Sequence, residues 1–239
     1  MLDQTQKTAL ITGSATRIGK YVAKMLANNG WKIALHYHNS EQEAYQLAKE
    51  LINHTDLIIF KADLTQEDQA INLFKDASNK LGPINLLINN ASIHKNDNIS
   101  NLSADILDQH MNIHLNTPLY LSKLMAEQDI SGNIINFLDT DIFEREKKFF
   151  SYRLSKKALF NLTQMLAVSL APDIRVNAIA LGPTLFKEGQ NLKLFNQLIA
   201  DSPLKVKAEL EDLYNAIIFL LNTKSITGQC IFLDGGMHL

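Results

Sequence analysis

The chain has 239 residues, 46% hydrophobic and 20% charged, with a formal net charge of −2 at pH 7. This is enough apolar sequence for one substantial core, so a single domain over residues 1–239 is expected. The charge gives no electrostatic basis for a nucleic-acid or anionic-membrane partner and leaves a small-molecule ligand as the expectation. One cysteine, Cys230, rules out a disulfide within the chain and a cysteine-clustered metal site. A buried apolar role for Cys230, no metal site, and a reducing cytoplasmic compartment are the matching expectations. Residues 1–7 are polar and lack the basic-then-apolar order of a signal peptide, and no stretch has the length of a membrane span.

Short apolar runs alternate with longer segments of helical period. Thr8–Thr12, Lys32–His38, Leu57–Lys61, Ile84–Ile88, Asn133–Leu138, Arg175–Ala180 and Cys230–Leu233 are predicted strands, with helices between them. The pattern calls for parallel strands joined by right-handed crossovers: an α/β, doubly wound parallel sheet of Rossmann type. Ligands of such sheets sit beyond the carboxyl ends of the strands, so the residues just after each strand carry the functional signal.

After the first strand comes Thr12-Gly13-Ser14-Ala15-Thr16-Arg17-Ile18-Gly19, opening a helix that runs toward Asn29. Glycines at a strand-to-helix turn let backbone approach a pyrophosphate, and the helix N-terminus supplies free amides. Arg17 replaces the middle glycine of the usual fingerprint, and an ordinary turn with a surface arginine is an equally open reading of this motif alone. After the second strand stands His36-Tyr37-His38-Asn39-Ser40, with no acid to bond an adenosine 2′-hydroxyl. A 2′-phosphate suits this corner better, with Arg17, Asn39 and Ser40 as donors, which points to NADPH. His36 reads as a packed strand residue.

Asp63-Leu64 follow the third strand and Asn89-Asn90-Ala91-Ser92 the fourth. Small and amide residues there suit a flat cofactor, although by themselves they are also ordinary turn formers. After the fifth strand, Tyr152 and Lys156 lie four apart on one helical face, where an ammonium can stabilise a phenolate. An isolated Tyr and Lys at this spacing is commonly a solvated face. Its position after the other motifs, in order, favours chemistry. Leu181-Gly182-Pro183-Thr184 follow the sixth strand. Residues 184–206 carry Phe186, Leu192, Leu194, Phe195 and Leu198 at roughly helical spacing, which fits a substrate lid with an apolar underside and equally a subunit contact.

Taken together, these motifs with Thr227-Gly228-Gln229 and Asp234-Gly235-Gly236 resemble the short-chain dehydrogenases/reductases over the whole chain. The resemblance implies catalysis by Tyr152 and Lys156, with Lys156 also holding the nicotinamide ribose. It implies cofactor contacts from Gly13, Arg17, Ile18, Gly19, His38, Asn39, Ser40, Asp63, Leu64, Asn90, Ala91, Ser92, Gly182 and Thr184. The family usually has Ser thirteen residues before the Tyr, and this chain has Asp139 there.

Asp139, Arg17 in the glycine loop and Ser92 after Asn89-Asn90-Ala91 are together similar to pteridine reductases. Ile113-His114-Leu115-Asn116-Thr117-Pro118 and the ending Leu233–Leu239 are similar to the bacterial dihydromonapterin reductases. His114 stands where most of the superfamily has Asn, and Asn39 where pteridine reductases often have Arg. The resemblance implies reduction of a dihydropterin or folate by NADPH, with Asp139 joining Tyr152 and Lys156 in catalysis by bonding Tyr152 or the pterin edge, Ser92, His94, Asp139 and Tyr152 at the substrate and His94 as an aromatic wall. A homotetramer, with the Leu233–Leu239 tail at its interface, is also implied. A carbonyl reductase of the same superfamily and a non-catalytic NADP-binding sensor are the rival expectations.

Overall fold

Parallel pairing sets the order of this sheet, and the order places the site. The computed structural model describes residues 7–143, 147–186, 189 and 191–239. The strands are β1 (Thr8–Ile11), β2 (Lys32–Tyr37), β3 (Leu57–Lys61), β4 (Ile84–Asn89), β5 (Gly132–Asp139), β6 (Ile174–Leu181) and β7 (Cys230–Leu233). They form one sheet in the order β3-β2-β1-β4-β5-β6-β7, parallel in every pair. All seven predicted strands are present, with ends within a residue of those expected. The order reverses between β1 and β4, which opens a crevice above their carboxyl ends. The expectation for residues 1–7 falls, except for Lys7, outside the described residues.

The helices are α1 (Arg17–Asn28), α2 (Glu41–Leu51), α3 (Glu67–Leu81), α4 (Ala104–Met111), α5 (Thr117–Ala126), α6 (Phe150–Ser169), α7 (Leu192–Asp201) and α8 (Leu210–Asn222). Both faces of the central strands are covered, which is why these strands read as continuous apolar runs. Ala9, Ile11, Ile33, Leu35, Leu86 and Ile88 pack on one side against Val22 and Leu26 of α1 and Ile217 of α8. Leu10, Ala34 and Leu87, one residue out of phase, pack on the other against Leu73 of α3, Leu121 of α5 and Leu159 of α6. Cys230 is half-buried against this second layer rather than enclosed, because β7 is an edge strand.

Helix α6 is pinned to the sheet by a buried polar chain. Asn89 Nδ2 donates to Asn136 Oδ1 at 2.8 Å, Asn136 Nδ2 donates to Thr163 Oγ1 at 2.9 Å, and Thr163 Oγ1 donates to the Leu159 carbonyl at 2.8 Å. Asn136 is fully enclosed, and among the described residues Asn89 Oδ1 has no hydrogen-bond partner.

Residues 184–206 differ in part from expectation. Helix α7 has no buried residue, and Leu192 and Leu194 are exposed; only Phe195 and Leu198 of the five expected apolar positions face the cleft described below, with Phe186 packed edge-on to Phe195. A single helix lying over an open crevice has no second layer to cover its outer face. Residues 187, 188 and 190 of this segment lie outside the described residues.

Replacing Asn136 by Ala should lower unfolding stability by about 1–3 kcal/mol, because it leaves the Asn89 amide N–H enclosed without its acceptor and takes away the donor to the Thr163 hydroxyl oxygen. Urea unfolding midpoints of the two proteins measure it.

Candidate active site

The loop from Thr12 to Thr16 is held by side chains reaching in from neighbouring strands. Asn90 Nδ2 donates to the Thr12 and Gly13 carbonyls at 2.8 and 3.0 Å, engaging both amide protons. Thr12 Oγ1 accepts from the Asn90 and Ala91 N–H groups, each at 3.0 Å. Gly13 has φ +64°, and a Cβ there would lie 3.0 Å from Ala91 Cα; a Cβ on Gly19 would lie 2.3 Å from the Gly13 carbonyl. Only glycine permits this packing.

His36 completes the loop from below. Gly13 N–H donates to His36 Nδ1 at 2.9 Å, so the ring proton is on Nε2, which donates to the Ala62 carbonyl at 3.1 Å. Burial, with His38 adding to it and the Ala62 carbonyl opposing, lowers the His36 pKa to about 4, and the ring stays neutral. The sequence reading of His36 as a packed strand residue holds. Its second role, as acceptor for the glycine loop, required the β1–β2 pairing to be seen.

A cleft of about 870 Å³ lies over the carboxyl ends of the strands. It gathers every site residue expected from sequence. Gly13, Arg17, Ile18 and Gly19 line one end, with His38, Asn39, Ser40, Asp63 and Leu64 beside them. Asn90, Ala91, Ser92 and His94 line the middle, and Asp139, Tyr152, Lys156, Gly182 and Thr184 the other end. Met237, from the chain's last segment, also reaches it.

Arg17 has φ +50°, the left-handed conformation glycine would hold without strain, and its Nη2 donates to the Leu185 carbonyl at 2.9 Å. The guanidinium thus spans the cleft rather than resting on residues 38–40. His38 Nε2 stands 3.9 Å from Asp63 Oδ2. Burial opposes ionisation of Asp63, but hydrogen bonds from the Thr65 N–H and hydroxyl, with His38 nearby, outweigh it and lower the pKa.

At the far end the side chains of α6 meet the end of β5. Tyr152 Oη donates to Asp139 Oδ2 at 2.9 Å across thirteen residues of chain. Lys156 Nζ donates to the Phe137 carbonyl at 2.7 Å and stands 6.0 Å from the Tyr152 ring centre. Lys156 is only 4% exposed. Burial, partly opposed by the Asp139 charge, lowers its pKa to about 8. Phenol, carboxylate and ammonium together can hold and pass a proton at the cleft surface.

The loop after β4 is laid along the next helix by two histidines: His114, which stands where most of the superfamily has Asn, and His110, which the sequence reading did not place. The turn Asn112–Asn116 is a π-helix joining α4 to α5, a form that often marks functional sites. His110 and His114, one turn apart, accept from the backbone N–H of Lys95 and Ile93, both at 3.4 Å. Their i, i+4 spacing was the available signal. His94, between those two loop residues, turns the other way: its ring stacks on Phe149 at 4.1 Å and meets Tyr152 edge-on at 4.6 Å. Phe149, at φ +56°, precedes α6, whose first turn is capped by the buried Asp97 carboxylate accepting from the Ser151 N–H and hydroxyl.

The other wall is tied to the end of the chain. Gly182 N–H donates to the Leu233 carbonyl at 3.0 Å, and a Cβ on Gly182 would lie 2.8 Å from Asp234 Cα. Leu204 N–H donates to the Gly235 carbonyl at 2.9 Å and Ala208 N–H to the Pro183 carbonyl at 3.1 Å. These bonds fix both ends of the segment that carries α7.

A doubly wound sheet with this loop, cleft and Tyr/Lys pair defines a class of oxidoreductases, and comparison with known proteins agrees. The family described as enoyl-(acyl carrier protein) reductase matches residues 13–238, and the chain belongs to the short-chain dehydrogenases/reductases. It is similar to the solved structure of FolM alternative dihydrofolate reductase 1 from Brucella suis in complex with NADP. That likeness has 38% identity and a TM-score of 0.92, covering 97% of this chain and 95% of the other. It is 28% identical over 236 residues to the dihydromonapterin reductase of Citrobacter koseri, 96% of each chain. It is also 28% identical over 243 residues to the 3-oxoacyl-(acyl-carrier-protein) reductase FabG of Staphylococcus epidermidis, 98% of this chain and 99% of the other.

Lys156 gives a stability prediction independent of any substrate. Its lowered pKa means that the unfolded chain binds more protons between pH 8 and 10.5, so this residue's penalty is complete below pH 8 and disappears as pH rises through that window. Lys156→Met should therefore be more stable than the parent at pH 7 by up to about 3 kcal/mol, with the advantage shrinking as pH rises from about 8 to 10.5. Urea midpoints across that range measure it.

Proposed function

We propose that the protein is an NADPH-dependent reductase that converts a dihydropterin (dihydromonapterin, dihydrobiopterin or dihydrofolate) to the tetrahydro form. The observation that carries this reading is the 2.9 Å hydrogen bond from Tyr152 Oη to Asp139 Oδ2 at the cleft surface. A carboxylate there works against the phenolate that Lys156 favours, so its presence asks for a substrate that uses it. A pterin does: its amino-pyrimidine and N5 edges offer groups that a carboxyl can bond or protonate, whereas a ketone offers one acceptor oxygen. Likeness to the Brucella and Citrobacter reductases supports the same reading.

The residues fit NADPH. Gly13 and Gly19 hold places that a Cβ would fill, leaving backbone at the start of α1 for a pyrophosphate. His38, Asn39 and Ser40 bring no carboxylate to the end of β2, and Arg17, on leaving the Leu185 carbonyl, supplies positive charge for a 2′-phosphate. Lys156 Nζ, beside Tyr152, would hold the nicotinamide ribose. When bound, the cofactor supplies the hydride that C6 of the pterin receives.

The chain's own groups supply the rest. Tyr152 Oη and Asp139 Oδ2 share the proton that N5 takes up, and Lys156 compensates charge as it leaves. Ser92 and His94 border the ring, with the His94 imidazole backed by Phe149. The segment 184–206 acts as a lid anchored by Gly182 and Gly235 and excludes water through Phe195 and Leu198. Residues 1–239 act as one catalytic domain, and copies assemble into a homotetramer with the Leu233–Leu239 tail at the interface.

A 3-oxoacyl reductase is the second reading, favoured by the likeness to FabG and opposed by Asp139 in place of Ser. Asp139→Ser discriminates. It should cut dihydropterin reduction by about ten- to a thousandfold, the scale of a lost acid-base group, and depress ketone reduction far less. Unchanged dihydropterin turnover, with NADPH binding intact by fluorescence, removes Asp139 from the chemistry.

NADPH should be preferred to NADH, and Arg17→Ala should weaken NADPH by about tenfold or more while affecting NADH less, since a charge-assisted phosphate contact is lost. Comparable kcat/KM for the two cofactors in the parent protein would contradict it.

A further inference from the structure

His114 is enclosed, 1% exposed, and bonded on both nitrogens. Its Nδ1 lies 2.8 Å from Ser155 Oγ and its Nε2 2.9 Å from Ser92 Oγ. Two neighbours assign its proton. Ser155 donates its only hydroxyl proton to the Tyr152 carbonyl at 2.7 Å, so it accepts from Nδ1. The Ile93 backbone N–H is directed at Nε2 at 3.4 Å and cannot reverse, so Nε2 presents its lone pair. The ring is the neutral Nδ1–H tautomer. Burial, joined by the nearby charge of Lys156, holds its pKa well below the ordinary value and keeps it neutral. His110 repeats the arrangement, with Nδ1 donating to the Ile106 carbonyl at 2.8 Å and Nε2 accepting from the Lys95 N–H.

The consequence falls on Ser92, which is exposed in the cleft. A serine hydroxyl has one proton, and here it goes to His114 Nε2 at 2.9 Å rather than to the more distant Ile93 carbonyl at 3.4 Å. The oxygen then faces the cleft with lone pairs alone. We propose that His114 is a positioning residue that sets substrate specificity: it takes the Ser92 proton, so Ser92 recognises an N–H donor on the substrate. An amino-pyrimidine ring brings such donors, whereas a ketone or thioester places an acceptor against an acceptor and leaves both unpaired. The choice of a pterin rests on the functional reading above; the polarity of Ser92 does not.

Two measurements test this on the full chain. In 15N-labelled protein, imidazole 15N–1H spectra, with His114 assigned by its loss in His114→Asn, should show the proton on Nδ1 and a bare Nε2 whose signal shifts in Ser92→Ala. A proton on Nε2 overturns the proposal. In NADPH-saturated protein, binding of pterin (2-amino-4-oxopteridine) is followed by fluorescence quenching. Ser92→Ala and His114→Asn should each weaken it by about tenfold, the worth of one hydrogen bond, and the double variant should be no weaker than Ser92→Ala. Ser92→Ala alters an exposed side chain, so it keeps the test sound if the His114 variant folds poorly. With dihydropterin, KM should rise about tenfold while kcat holds within about threefold. Pterin binding equal to the parent's, or fully additive effects, overturns the assignment. Pterin binding that follows this pattern without dihydropterin turnover removes the proposed reaction and leaves His114 in its role; a parent protein that binds no pterin overturns both.

Discussion

The ammonium of Lys156, enclosed and bonded to the Phe137 carbonyl, sets the seam on which the rest of the site is built. An enclosed ammonium must keep a strong acceptor, so α6 cannot slide or roll along β5 without stranding it. The Asn136 to Thr163 bond fixes the same seam further along, and the Tyr152 to Asp139 bond closes it at the cleft. Three attachments between one strand and one helix therefore decide where a phenol, a carboxylate and an ammonium meet. The cost of enclosing the ammonium appears in its lowered pKa, and perturbation of this kind is what functional sites concentrate.

Around that seam, the cleft is assembled from segments that cannot hold their own shape. The glycine loop depends on His36 of β2 and on Asn90 just after β4, the two strands beside β1. The loop after β4 depends on His110 and His114, and the segment carrying α7 on the closing Gly235 and on Gly182. His36, His110 and His114 are buried side chains on a strand or helix, and Asn90, Gly182 and Gly235 stand just past the ends of β4, β6 and β7, while the faces turned to the cleft belong to loops. Binding loops on a fixed scaffold combine access with accuracy.

Much of this was legible in the residues. Alternation of apolar runs determined seven parallel strands, because a strand enclosed on both faces has no polar side to show. Gly13, Gly19, Tyr152, Lys156 and Asp139 could be singled out because their chemistry depends on short spacings and on position after a strand. His94 could be placed beside the site, but not its stacking on Phe149, since that pair joins the ends of two different strands. Likewise nothing in the spacing of residues 184–206 said that Leu192 and Leu194 would be exposed, because one apolar stripe does not tell which of its members finds a surface to cover.

What the sequence by itself determined is the doubly wound fold, the place of the site at the strand ends, and the kinds of group brought there. These follow from local periodicity and from motifs a few residues long. Only the tertiary structure decided the polarity of the site: which nitrogen of His36 and His114 carries the proton, which way the Ser92 hydroxyl points, and that Arg17 bridges to Leu185. Each is set by a partner 21 to 168 residues away. A hydrogen bond's direction belongs to the pair, and the pair exists only once the chain has folded.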